Sequence, residues 1–268
     1  MIHDQSPEAT LAIAYDEGAA AYDEHWAPAL HRHARALLDP LPTGTGLVAV
    51  DVAAGVGTLA GALRGLAGRD GLVVALDRSL GMLRRAPQDL PRVQADAARL
   101  PLADGSADVL VFAFVLFMLP DARPAVAEAA RTLRPRGWFL AATWGSQLDS
   151  GAGLVVREEL DRAGAPPFPP LPRSDELTDT PARMRSLLEP AGFTDVRTDA
   201  RPLDAWFDRD SALALRTGCG SLGWRFARLD AEAQGAVRRG AAERLTQLPA
   251  EDFVDRSEVL LSWARRSD

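Results

Sequence analysis

Gly55 and Gly57 stand two residues apart just after an apolar run that ends in an acid, Val48-Ala49-Val50-Asp51, with the small residues Ala53 and Ala54 leading into them. Glycines in such a turn let backbone approach a ligand closely, and the first N–H groups of a following helix lack intrahelical partners. An anionic or carboxylate-bearing cofactor fits that arrangement. The stretch Gly55-x-Gly57-x-x-Ala60 also satisfies the dinucleotide fingerprint G-x-G-x-x-G/A, and small residues at a strand-to-helix turn also serve plain packing. Asp77 falls about twenty residues past the glycine turn, the distance at which an acid meets ribose hydroxyls in nucleotide-binding sheets.

Groups that could move a proton are few. The four histidines, His3, His25, His31 and His33, all lie in the first 33 residues, so imidazole chemistry must come from the N-terminal segment. The candidate bases are His25 first, then Asp23 and His31. His31 and His33 are too close in sequence to share a helix face, so no zinc site is expected there and no metal elsewhere. The single cysteine, Cys219, allows no intrachain disulfide and makes no thiolate metal site by itself. All 30 basic residues are Arg, which excludes a Lys Schiff base, a P-loop Lys and a Tyr-x-x-x-Lys pair. A net charge of -7 with scattered arginines argues against a nucleic-acid partner.

The elements that must position these groups follow from periodicity. An apolar strand at 48–51 precedes the glycine turn and a helix from near Thr58. A second strand at 71–77 ends in Asp77, and Ser79 caps a helix carrying Met82 and Leu83. Strands are expected at 92–96, 107–114 and 138–144, with a helix over 123–133 that stops at Arg134-Pro135-Arg136-Gly137. Alternating strands and helices indicate a mostly parallel, doubly wound α/β sheet of Rossmann-like form, with ligands beyond the carboxyl ends of its strands.

Before this core, Ser6 and Pro7 open a helix in which Tyr15-Asp16 recurs as Tyr22-Asp23, seven residues on and on nearly the same face. A second helix covers 28–38. After the core come a helix at 154–163, a Pro-rich connector at 166–170, a helix at 181–189 and a strand near 194–197. Helices at 210–220 and 230–248 and a final strand at 257–265 complete the chain. No repeat or low-complexity linker divides it. The expected organisation is one domain over 1–268, with an N-terminal helical flap (1–40), a cofactor-binding core (41–145), helical cap and substrate segments (146–180 and 203–252) and a last strand (253–268). No apolar run approaches the roughly 20 residues of a membrane helix, and the N-terminus carries no basic-then-apolar leader. A cytoplasmic protein without a membrane partner is the expectation.

Four motifs taken in order resemble a class I S-adenosylmethionine-dependent methyltransferase, most similar to the small-molecule branch that includes the ubiquinone/menaquinone biosynthesis methyltransferases. They are the Tyr-Asp repeat, Asp51-Val-Ala-Ala-Gly-Val-Gly57, Asp77-Arg-Ser-Leu-Gly-Met-Leu83, and Asp96-Ala-Ala-Arg-Leu-Pro-Leu-Ala-Asp-Gly-Ser-Ala-Asp108. The resemblance spans roughly 10–145 and implies an antiparallel last strand, with S-adenosylmethionine as cofactor and S-adenosylhomocysteine as product. It implies that Ala53, Gly55 and Gly57 bring backbone against the methionine part, with Asp51 ordering the turn near the cofactor's amino group. Asp77 would take the ribose hydroxyls with Arg78 beside it, and Met82 would press on the adenine. Asp96 and the Ala97 N–H would read the adenine edge. Phe112 and Phe114 would sit beside the sulfonium, and Tyr22 would close over the methionine end. Ala53 replaces the usual first glycine, and Phe117 and Met118 stand where relatives often carry histidine.

Methyl transfer from a sulfonium is an in-line displacement, so an apolar site that aligns donor and acceptor supplies much of the acceleration. A small, largely apolar acceptor is expected, walled by Trp144, Trp206 and Trp224, with Arg225 available to an acidic group. The Lys-free composition fits a bacterial specialised-metabolism setting. Two other readings keep the cofactor: a non-methylating cyclisation or elimination, and a non-catalytic sensor. The chain is expected as a monomer or homodimer.

Overall fold

In the computed structural model of the 268-residue chain, residues 7–148, 150–171 and 173–268 are described. The proposed Ser6 cap and His3 lie outside them. The described residues form seven strands in one sheet: β1 (Val48–Val52), β2 (Leu72–Asp77), β3 (Arg92–Gln94), β4 (Ala107–Ala113), β5 (Leu133–Leu148), β6 (Phe193–Trp206) and β7 (Val254–Arg266). Their order is β3-β2-β1-β4-β5-β7-β6. β3, β2, β1, β4 and β5 pair in parallel and the last strands are antiparallel, as the doubly wound reading requires. β1 and β4 are buried almost throughout, the mark of strands covered on both faces, whereas the three residues of β3 form an exposed edge.

The chain divides into two compact units. One gathers 1–29, 147–171 and 202–257; the other gathers 30–146, 172–201 and 258–268. The second holds the core cluster, in which Phe112 stacks on Phe139 at 5.3 Å and Phe139 tilts against Phe193 at 5.0 Å. In the first, the helices Pro7–Ala21 and Arg209–Gly218 meet at backbone distance: a Cβ on Gly218 would stand 2.6 Å from that of Ala21. Arg216 pairs with Asp255 at 2.5 Å, and Arg228 reaches Glu17 at 2.6 Å.

Several expected boundaries move. The helix after the glycine turn begins at Ala60 rather than Thr58, because left-handed residues at 53, 55 and 57 keep the chain out of helical geometry for longer. The Arg134–Gly137 breaker ends no element: β5 starts at Leu133, directly after the helix Arg123–Thr132, and these four residues are looped out as a bulge. Ala107 pairs with Leu133 and Val109 with Trp138, with Arg136 in a left-handed conformation at φ 63°. The strand near 194 runs on to Trp206, into the range read as cap. The helix expected over 210–220 ends at Gly218, and an unexpected one, Gly220–Phe226, starts after the extended Cys219. A π-helical turn, Tyr22–Trp26, separates Pro7–Ala21 from Ala27–Ala36. Tyr15 and Tyr22 meet edge to face at 6.1 Å, as their spacing requires.

Candidate active site

Where β1 leaves the sheet, Ala53 adopts φ 57°, Gly55 φ 57° and Gly57 φ 76°, so the chain reverses through three left-handed residues within five. A Cβ on Gly57 would lie 2.9 Å from Pro87 Cδ. The turn is fastened to β2. Ala54 N–H donates to the Leu76 carbonyl at 3.0 Å and Gly55 N–H to Asp77 Oδ2 at 2.8 Å. The other oxygen of Asp77 accepts the Ser79 N–H at 2.8 Å, and Ser79 Oγ caps the next helix by accepting from Met82 N–H at 3.0 Å. An ionised carboxylate has about four lone-pair sites. Asp77 therefore anchors the glycine turn and keeps capacity for ligand hydroxyls, and the anchoring role has no signature in the sequence.

Asp51 lies just before this turn, 4% exposed. Burial first, and the charge of Asp77 second, push its carboxyl up to about 8. At the end of β3, Asp96 Oδ1 accepts the Ala98 N–H at 2.8 Å, and Oδ2 stands 3.7 Å from Arg78 Nη1. Gln94 Nε2 donates to the Arg78 carbonyl at 2.9 Å, which ties the ends of β2 and β3 together. An exposed Gln on an edge strand gives no pattern by which sequence reasoning could have found it. Three neighbouring strand ends thus carry one acid each, a rim suited to hydroxyl and amino donors and to positive charge.

β4 ends in a second left-handed exit, Phe114 at φ 60°. Its N–H donates to the Ala142 carbonyl at 2.8 Å, and its ring tilts against Trp144 at 4.8 Å. Phe117 meets the same indole edge-on at 6.3 Å and carries the Arg173 guanidinium 5.1 Å from its centroid. Phe112, by contrast, points fully into the core, which leaves only its backbone for a ligand.

Residues 50–141 match the family described as "Methyltransferase domain". The chain carries a class I methyltransferase domain. It is 32% identical over 143 residues to a demethylmenaquinone methyltransferase of Mycolicibacterium vanbaalenii, a match covering 49% of this chain and 63% of that relative. The YcgJ protein of Bacillus subtilis has the same fold at a TM-score of 0.59 and 18% identity, covering 88% of this chain and 99% of that one. A Haemonchus contortus phosphoethanolamine N-methyltransferase, solved with S-adenosylhomocysteine, aligns at a TM-score of 0.58 and 16% identity, covering 98% of this chain and 60% of its own. Within the methyltransferase domain the matched residues hold Asp51, the glycine turn, Asp77, Asp96 and Phe114, so the family match falls on the geometry described above.

Other candidates stand apart from this cluster. Met82 is buried at 2% exposure in its helix, and His31 is exposed. His33 on the same helix is buried, its pKa lowered by burial first and then by Arg32 and Arg201. Tyr22, Asp23 and His25 lie together on the π-helical turn of the other unit. In that unit Trp206 is 64% exposed, and Trp224 is met by Phe168 edge-on at 5.2 Å and by Arg228 at 4.1 Å. Arg225 donates to Asp161 at 2.6 Å and to the Pro166 and Ala165 carbonyls, so its charge is taken up in holding the Pro-rich connector. Burial raises the Cys219 thiol to about 11, far from a thiolate at neutral pH. Among the described residues no group of three or more metal-ligating side chains occurs, and no helix is long and apolar enough to cross a membrane.

Proposed function

We propose that the chain transfers the methyl group of S-adenosylmethionine to a small, largely apolar acceptor. The observation that carries this reading is the glycine turn fastened to Asp77 at 2.8 Å within the residues matched as a methyltransferase domain. S-adenosylmethionine supplies an electrophilic methyl on a sulfonium when bound. The backbone of Ala53 to Gly57 shapes the methionine end of the site, and Asp51 and Asp77 set its charge. Asp77 retains lone pairs for the ribose hydroxyls after serving Gly55 and Ser79. Asp96 Oδ2, held loosely by Arg78, is available to the adenine amino group. At the end of β4 the residues from Phe114 to Met118 include no titratable side chain, so this segment excludes water rather than moving a proton. Alignment of donor and acceptor then contributes most, roughly 7–11 kcal/mol for well-oriented reactants. His25, Asp23 and His31 are the candidates for a base where an acceptor needs one. The setting we infer is a bacterial cytoplasm and specialised metabolism.

The same absence of titratable groups favours a second reading, a cyclisation or elimination in which the bound sulfonium acts without losing its methyl. Calorimetric titration with S-adenosylmethionine and S-adenosylhomocysteine, repeated on Asp77→Ala, tests the cofactor assignment. Saturable binding that the variant loses supports it; no binding at millimolar ligand overturns it. Mass gain of a methyl group on the product separates transfer from the second reading.

A further inference from the structure

Phe114 is an aromatic residue in a backbone region that L side chains avoid and glycine enters freely. Such strain persists only where the surroundings impose it, and it gathers at ligand sites. Two contacts impose it here: the hydrogen bond from the Phe114 N–H to Ala142 at 2.8 Å and the ring contact with Trp144 at 4.8 Å. Trp144 is itself 8% exposed, so the indole is the support and the half-buried Phe114 is the part that a ligand can reach.

Strand register locates this ring. Asp51 is level with Val111 on β4, and Ala113 is level with Ala142 on β5. Two residues farther along, Ala53 stands level with Ala113, at a strand spacing of about 4.8 Å. Two adjacent strands therefore leave the sheet through left-handed residues at nearly the same height, Ala53 on β1 and Phe114 on β4. Between them opens the crevice at the carboxyl ends where sheets of this type bind ligands. One wall is the glycine turn; the other is the Phe114 ring backed by Trp144, with Phe117 beyond it, held by Trp144 and by Arg173, whose charge Asp175 occupies at 2.7 Å.

We infer that Phe114 is a specificity-determining residue, presenting a rigid aromatic face that selects a flat, π-rich acceptor over a saturated one of equal size. The inference rests on the methyltransferase reading. The probes are 2-naphthol and its saturated counterpart decahydro-2-naphthol, titrated by tryptophan fluorescence with and without S-adenosylhomocysteine. The wild-type chain binds 2-naphthol about tenfold more tightly than the saturated alcohol, the worth of one good aromatic contact. Phe114→Gly, which keeps the left-handed backbone and removes the ring, abolishes that preference, and Phe114→Tyr retains it. Equal binding of both alcohols by the wild type, no saturable binding of 2-naphthol, or an unchanged preference in Phe114→Gly overturns the inference. Adenosylhomocysteine is titrated separately into each variant. Its failure to bind the wild type overturns the methyltransferase reading, whereas its normal binding alongside a lost naphthol preference isolates the effect to the acceptor side.

Discussion

Asp51 couples the stability of the methyltransferase domain to pH in a direction opposite to that of most aspartates. In the unfolded chain its carboxyl ionises at the ordinary value of 3.8, and in the folded chain near 8, through burial and the neighbouring charge of Asp77. Between those values the folded state holds a proton that the unfolded state lacks. Its contribution is complete below the lower value and is lost as pH rises through the upper one. The slope is about 1.4 kcal/mol per pH unit, so raising pH from about 5 to about 7 removes about 2.7 kcal/mol. Asp51→Asn keeps the shape of the protonated acid and cannot titrate. Thermal melts of the two proteins across this range should therefore diverge, with the wild type losing about 5–10 °C relative to the variant. Adding Asp77→Asn removes the second cause of the shift and brings the alkaline end of the window down. Parallel pH profiles for wild type and Asp51→Asn would show that Asp51 is ionised in the folded protein and refute the argument.

Gly57→Ala places a side chain at φ 76° and 2.9 Å from Pro87 Cδ, so it should cost about 2–4 kcal/mol in a urea titration; Ala53→Gly, which relieves φ 57° without a clash, should range from neutral to about 1 kcal/mol more stable. Arg216→Met strands the carboxylate of Asp255, which is 8% exposed and otherwise paired at 2.5 Å, and should cost about 3 kcal/mol by melting, much of it recovered in the double variant Arg216→Met, Asp255→Asn. His25→Ala should leave turnover within about threefold where proximity dominates, measured as methyl incorporation at saturating substrate; a loss of about a hundredfold or more would make His25 a general base.

What the sequence made legible was local. The turn after β1, the acid at the end of β2, the Ser79 cap and the seven-residue spacing of Tyr15 and Tyr22 all follow from interactions spanning a few residues, where periodicity and turn chemistry decide the outcome. The readings that failed were those decided across strands. Arg134-Pro135-Arg136-Gly137 has the composition of a terminator, yet Ala107 and Val109 on β4 hold the flanking Leu133 and Trp138 in register and turn it into a bulge. The extension of the 194 strand to Trp206 reflects its place beside β7 in the sheet and no propensity of its own, since Pro202 lies inside it. The same division runs through the site. Asp77 was legible as a ligand acid because its distance from the glycines is fixed by the size of a strand-helix-strand unit. Its hold on Gly55 was not, because that bond depends on how β1 and β2 lie side by side. Nor could φ 60° at Phe114 be read from a residue type that avoids it. Both features belong to the sheet rather than to any segment, and both bear directly on the ligand crevice. A substitution that shifts strand register should therefore disturb the site more than one that changes a lining side chain of equal size.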